Sequence, residues 1–109
     1  MATLYVNFSR AALGEETFVP VPYGPAARSE MIDIGGTSEV GDISAAAGED
    51  VIEVYADTDC WIQIGAAPVA TAGELGSAPQ VNDCRFLPAS TFREYAVDPG
   101  HKIAVIAAS

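Results

Sequence analysis

Residues 51–64 read VIEVYADTDCWIQI, a stretch in which two runs of alternating residues flank a short polar turn. The first run puts Ile52, Val54 and Ala56 on one face, and the second puts Cys60 on the inner face and Trp61 on the outer one. Two alternating runs separated by a polar turn are typical of a β-hairpin. The sequence therefore predicts a hairpin of strands 51–56 and 60–64.

Further short runs of β character lie on both sides of this stretch, and ten Gly and seven Pro punctuate the chain. These runs lie at 3–8, 17–23, 30–34, 84–87, 92–97 and 101–107. The run at 17–23 contains two prolines, which cannot donate to a ladder, so we expect it at a sheet edge or in an extended arm. The last run is apolar on both faces, which predicts a central strand or a subunit contact.

This pattern predicts an all-β fold, a single-domain β-sandwich or jelly roll of about eight short strands with an extended N-terminal arm. A chain of 109 residues has room for one domain. We expect residues 1–23 to form the N-terminal arm or edge strands, and residues 24–109 to form the sandwich domain.

The charge balance excludes two classes of partner. The chain has 15 acidic and 5 basic residues, a formal net charge of −10 at pH 7, and this charge repels nucleic acid and anionic membrane surfaces. No run reaches the ~20 apolar residues of a membrane-spanning helix, and we expect no secretion signal at the N-terminus. We therefore expect no nucleic-acid or membrane partner and synthesis in a cytoplasm. The acidic pairs at 15–16 and 49–50 are predicted to be solvated loop charges.

No group of residues indicates a catalytic, cofactor or metal site. His101 is the single histidine, follows a Pro-Gly turn, and is expected to be exposed or to cap that turn. Cys60 and Cys84 are expected to be buried free thiols, and burial would keep Cys60 protonated and unreactive. Asp57 and Asp59 could supply oxygens to Ca²⁺, although aspartates in turns more often bond the backbone.

Several segments of the C-terminal half resemble small virion structural proteins of tailed bacteriophages. They are ADTDCWIQIGAAPVAT at 56–71, FLPA at 86–89, YAV at 95–97 and PGHKIAVI at 99–106. The shared pattern is a strand with an Ile-Gly end, an Ala/Pro/Thr loop, a Leu-Pro-Ala turn and a Pro-Gly-x-Lys-Ile-Ala strand. The resemblance implies a non-enzymatic virion protein, and many such small β proteins are capsid decoration (cement) proteins.

As a decoration protein, the chain would bind the major capsid protein and self-associate, with a homotrimer as the expected state. The net charge favours the outer capsid surface, because the DNA-filled interior is itself anionic. A head fibre, a head–tail joining protein or a tail component is an alternative. A sugar- or calcium-binding module at a fibre tip is another, and it predicts an exposed Trp61 or Tyr55 beside carboxylates.

Aromatic residues are the candidates for contact with a partner. The interface candidates are Tyr5, Phe8, Phe18, Tyr23 and Trp61. The first four lie in the predicted arm, which could add a strand to a neighbour's sheet, although their side chains could equally fill the domain's own core. Trp61 could cover a second core or join an interface. We expect removal of residues 1–23 to abolish particle binding and to leave the rest folded.

Overall fold

The protein, analysed as a computed structural model, is described over residues 2–13, 20–22, 28–73 and 83–108. Within these ranges it is all-β, with two four-stranded antiparallel sheets that enclose a shared core. The described strands are β1 (Thr3–Ser9), β2 (Ala11–Leu13), β3 (Pro20–Pro22), β4 (Arg28–Asp33), β5 (Glu39–Val40), β6 (Val51–Ala56), β7 (Cys60–Gly65), β8 (Arg85–Leu87), β9 (Thr91–Ala96) and β10 (Lys102–Ala107). The predicted β-sandwich is confirmed, and the jelly roll stays a prediction.

The strand order of the first sheet is β4-β1-β6-β9, and that of the second sheet is β5-β10-β7-β8. β2 and β3 pair with each other in a separate two-stranded sheet. The chain crosses between the two large sheets after β4, β5, β6, β8 and β9. Because of these crossings, most strands that are consecutive in the sequence lie on opposite sides of the core.

The predicted hairpin of strands 51–56 and 60–64 is wrong, although both strands exist. β6 pairs with β1 and β9, whereas β7 pairs with β10 and β8. The turn between β6 and β7 therefore carries the chain from one sheet to the other. Alternation identifies a strand and its buried face, but two strands that face each other across a sandwich have the same pattern as two paired strands.

The core lies between the inner faces of the two sheets. Its largest fully buried side chains are Phe8, Leu4, Ile52, Ile62, Leu87 and Ile103. β10 lies between β5 and β7, and its residues Ile103, Ala104 and Val105 are all buried, which confirms the predicted central strand.

Residues 3–9 are part of this core, so the expectation of an arm or edge strand is wrong for this stretch of residues 1–23. β1 pairs with β4 on one side and with β6 on the other, so residues 3–9 form an interior strand and not an edge. Leu4, Val6 and Phe8 alternate along β1 and point into the core. Removal of residues 1–23 would therefore delete part of the core and could not separate binding from folding.

An ion pair holds the loop at 41–50 against the edge strand β4. The Arg28 guanidinium pairs with the Glu49 carboxylate, and Glu49 also accepts the backbone N–H of Ala46 at 2.7 Å. Glu49 is buried, so the prediction of a solvated loop charge is wrong at this position. These donors make burial of the charge possible, and the hydrogen bond from Arg28 lowers the pKa of the Glu49 carboxyl.

Candidate binding surface

A loop covers the outer face of the second sheet. In this loop, residues 66–73, the N–H of Val69 donates to Gln63 Oε1 at 2.8 Å, and the N–H of Ala70 donates to Ser38 Oγ at 2.9 Å. Gln63 lies on β7, so these bonds fasten the loop to the sheet. The outer side of this sheet is therefore packed against the protein's own chain.

Trp61 lies beneath this loop. Its ring centroid is 5.2 Å from that of Phe86 on the neighbouring strand, and Gly73 lies directly against the indole. Trp61 was expected either to cover a second core or to join an interface. Its packing against Phe86 and Gly73 fits the first role, in a small second core on the outer side of the sheet.

We expect Gly73→Ala to destabilise the protein by about 1–2 kcal/mol, because a Cβ at this position would lie 2.6 Å from the Trp61 ring. Chemical denaturation measures the loss, and the fluorescence of Trp61, the one tryptophan of the chain, should report a displaced indole. Gly65→Ala is the matched control, because a Cβ there meets nothing within 4 Å. Equal effects of the two substitutions would contradict this packing.

The outer face of the first sheet carries one exposed large apolar or aromatic side chain from each strand. These residues stand directly opposite one another in the register of the sheet. In order across the sheet they are Met31, Tyr5, Tyr55 and Phe92, here called the exposed row. Their exposed fractions range from 38% for Tyr55 to 71% for Met31. With strands about 4.8 Å apart, the row crosses the sheet over roughly 14 Å.

The exposed row is large enough to matter for binding. At ~200 Å² for each large side chain, its exposed fractions leave on the order of 400 Å² in contact with water. This is about the size of the largest apolar patch on a typical soluble monomer, and such patches are often binding sites. The two tyrosine rings of the row lie 6.2 Å apart and are tilted by 50°.

Two glutamates lie beside the exposed row on the same face. Glu53 precedes Tyr55 by two positions on β6, Glu94 follows Phe92 by two positions on the antiparallel β9, and the two glutamates are directly opposite in register. We call them the glutamate pair. Partial burial raises the pKa of the Glu53 carboxyl, and the nearby charge of Glu94 adds to this effect.

The predicted interface candidates lie in different environments in the structure. Tyr5 lies in the exposed row and Trp61 lies under the loop. Phe8 is fully buried in the core, so its side chain is not available to a partner. Phe18 and Tyr23 lie outside the described residues.

Sequence reasoning did not propose Met31 or Phe92 as surface contacts, and it named Tyr55 only in the sugar-module alternative. The alternation of β6 places Tyr55 on the face opposite Ile52 and Val54, so the exposure of Tyr55 could be predicted from the sequence. The alignment of the four side chains in the exposed row could not be predicted from the sequence, because it depends on which strands pair and in which register.

The groups considered for chemistry are engaged in the fold. Cys60 and Cys84 are both buried thiols, as predicted, and burial raises the pKa of the Cys60 thiol to about 12, which keeps it protonated near neutral pH. His101 Nδ1 accepts the N–H of Asp98 at 3.1 Å, which confirms its capping position at the turn.

The two aspartates of the turn between β6 and β7 bind backbone groups. Asp57 Oδ1 accepts the N–H of Thr3 at 2.8 Å, and Asp59 Oδ1 accepts the N–H of Ala89 at 2.7 Å. The two carboxylates thus bind the turn to the start of β1 and to the segment between β8 and β9. Within the described ranges, no three acidic, histidine or cysteine side chains are grouped as metal ligands.

In the part of the chain that is described, no helix has the length and apolarity to span a membrane. No protein-family model, curated protein or solved structure matches the chain.

Proposed function

We propose that the chain is a non-enzymatic structural protein of a tailed-bacteriophage virion, a capsid decoration (cement) protein. It is made in the host cytoplasm, binds the major capsid protein on the outer capsid surface, and stabilises the capsid lattice. Sister copies associate, with a homotrimer as the expected state. The observation that carries this proposal is the exposed row of the first sheet.

The contrast between the two sheets supports an adhesive role. The second sheet is covered on its outer side by the chain's own loop, whereas the exposed row leaves three aromatic rings and a methionine in water. Aromatic and methionine side chains are enriched at the cores of protein interfaces. Leaving them uncovered is unfavourable for a free domain, and a partner surface would remove that cost.

The size of the row favours many weak contacts. About 400 Å² is half of the ~800 Å² that each partner contributes to a standard protein interface. One copy would therefore bind a capsid subunit weakly through this row alone. Association of copies on a repeating lattice raises the overall affinity without any new contact, because the second binding event becomes intramolecular.

The net charge of −10 supports a place on the outside of the particle. A surface that faces packaged DNA would be repelled by its phosphates. The same exposed row would also serve a head fibre, a head–tail joining protein or a tail component, and these are alternatives within the proposal.

The test is co-sedimentation of the full chain with undecorated capsids of the phage that encodes it. We expect the double variant Tyr5→Thr/Tyr55→Thr to bind at least tenfold more weakly than the unchanged chain, because buried tyrosines are frequent hot spots at interfaces. Threonine keeps a good strand former at both positions, so circular dichroism should report an unchanged fold.

The matched control is Val40→Thr/Val69→Thr. These two exposed apolar residues lie on an edge strand of the second sheet and on its covering loop. We expect the control to bind capsids like the unchanged chain. Equal losses for both double variants, or no binding of the unchanged chain, would contradict the proposal.

A glycan-binding module is the second candidate, favoured by the exposure of Tyr55 beside the glutamate pair. It is the weaker one, because Phe92 offers no hydrogen-bonding side-chain group to a sugar and the thioether of Met31 is only a weak acceptor. The 50° tilt between the rings of Tyr5 and Tyr55 also prevents a flat stacking platform. Calorimetry with glycans that produced a saturable signal would favour this candidate.

A further inference from the structure

The glutamate pair is an unfavourable arrangement for the isolated fold. Glu53 and Glu94 are directly opposite on neighbouring antiparallel strands, where the Cβ atoms of such pairs lie ~5 Å apart. Like charges at this position destabilise a sheet. Within the described residues, no lysine or arginine forms an ion pair with either carboxylate.

The pair is also continuous with the exposed row. Two residues along a strand correspond to about 7 Å, so the carboxylates lie at the border of the aromatic residues on the same face. Any partner that covers Tyr55 and Phe92 therefore brings its own side chains over the glutamate pair. The burial of Glu53 would increase further on binding, and an unpaired buried carboxylate is costly.

We propose that the exposed row and the glutamate pair form one docking surface, and that its occupant is a protein surface with an apolar centre and a lysine or arginine seated between Glu53 and Glu94. The charge complementarity selects this occupant: a cation relieves the repulsion between the carboxylates, whereas an acidic or uncharged partner leaves them desolvated. This inference rests on the proposed function for the identity of the partner, and it adds the chemistry by which the partner is recognised.

The direct test is Glu53→Gln/Glu94→Gln in the full chain. We expect the melting temperature to rise by about 1–5 °C, because the repulsion is removed, while the affinity for undecorated capsids falls about tenfold. The affinity of the variant should also depend less steeply on salt. A merely structural role for the pair would change stability and leave binding unaltered, and that result would overturn the proposal.

The matched control is Glu39→Gln/Asp42→Asn, which removes the same amount of charge from exposed positions on β5 and the loop after it. We expect its affinity for capsids to change less than twofold. If the control loses as much affinity as the double glutamine variant, net charge and not the glutamate pair attracts the partner, and the proposal fails.

A second measurement separates this inference from the proposed function. Amide shifts of the protein are followed by NMR with an alternating leucine–lysine peptide, its leucine–glutamate counterpart and a soluble glucan hexasaccharide. We expect the lysine peptide alone to shift Tyr5, Tyr55 and Glu53, and to bind the double glutamine variant about tenfold more weakly.

The outcomes are distinguishable. If capsids do not bind but the lysine peptide behaves as expected, the inference stands and the capsid proposal fails. If capsids bind and the double glutamine variant binds them equally well, the capsid proposal stands and the inference fails. Shifts of the same residues by the hexasaccharide, or equal shifts by both peptides, would also overturn the inference.

Discussion

Replacing Phe8 with Ala is expected to lower the free energy of unfolding by about 3–5 kcal/mol. The Phe8 side chain is fully buried between the two sheets, and β1 is paired on both sides, so the structure cannot collapse easily around the cavity. Arg28 also lies over the Phe8 ring, with its guanidinium carbon 5.8 Å from the centroid. Denaturant unfolding followed by circular dichroism measures the loss.

Tyr5→Thr is the control on the same strand. Tyr5 points to the opposite, outer face and is 44% exposed, so its replacement should change the free energy of unfolding by less than ~1 kcal/mol. The two variants would then show different roles for the two aromatic residues: Phe8 would be needed for folding and Tyr5 for binding. Similar losses of stability for both variants would contradict the position of β1 in the sheet.

Replacing Glu49 with Ala is expected to destabilise the protein by about 2–3 kcal/mol. The substitution removes the carboxylate that receives the Arg28 guanidinium and the N–H of Ala46, and it releases the loop at 41–50 from β4. Thermal and denaturant unfolding measure the effect. A loss below ~0.5 kcal/mol would mean that the pair behaves like an exposed surface ion pair.

The contribution of Glu49 should also depend on pH in a defined direction. Its pKa is lowered in the folded chain relative to the ordinary value of 4.5, so the stabilisation is fully present above pH 4.5 and is lost as the pH falls through the lowered pKa. The stability difference between the unchanged protein and Glu49→Gln should therefore narrow in acid. A difference that stays constant from neutral pH to acid would contradict this linkage.

Local patterns were sufficient to predict most strands of the sandwich. The alternation of Val51–Ala56 and Cys60–Gly65, the turn before His101 and the doubly apolar Lys102–Ala107 all correspond to elements of the structure. Each of these signals lies within a few neighbouring residues, where side-chain periodicity and turn preferences act directly.

Pairing was not predictable from the same signals. β6 and β7 satisfy every local condition for a hairpin, and yet they lie in different sheets because each finds its partners far along the chain, in β1 and β10. The same limit concealed the exposed row, since Met31 and Phe92 meet the tyrosines only once the register of four strands is fixed.

Burial of polar groups was the second limit. Glu49 follows Gly48 in an acidic loop, and no pattern in the sequence connects it to Arg28, 21 positions earlier. The ion pair forms because the fold brings β4 beside that loop. Phe8 shows a related limit: alternation places its side chain on the same face as Leu4 and Val6, but the strand pairing decides whether that face packs in the protein's own core or against a partner.

The most direct test of the adhesive role is an image reconstruction of capsids decorated with the full chain. We expect density for the protein on the outer surface, with the face that carries Tyr5, Tyr55 and the glutamate pair against the capsid subunits and the covered sheet toward solvent. A reconstruction in which the exposed row faces solvent, or in which the chain leaves no density on the particle, would contradict the account.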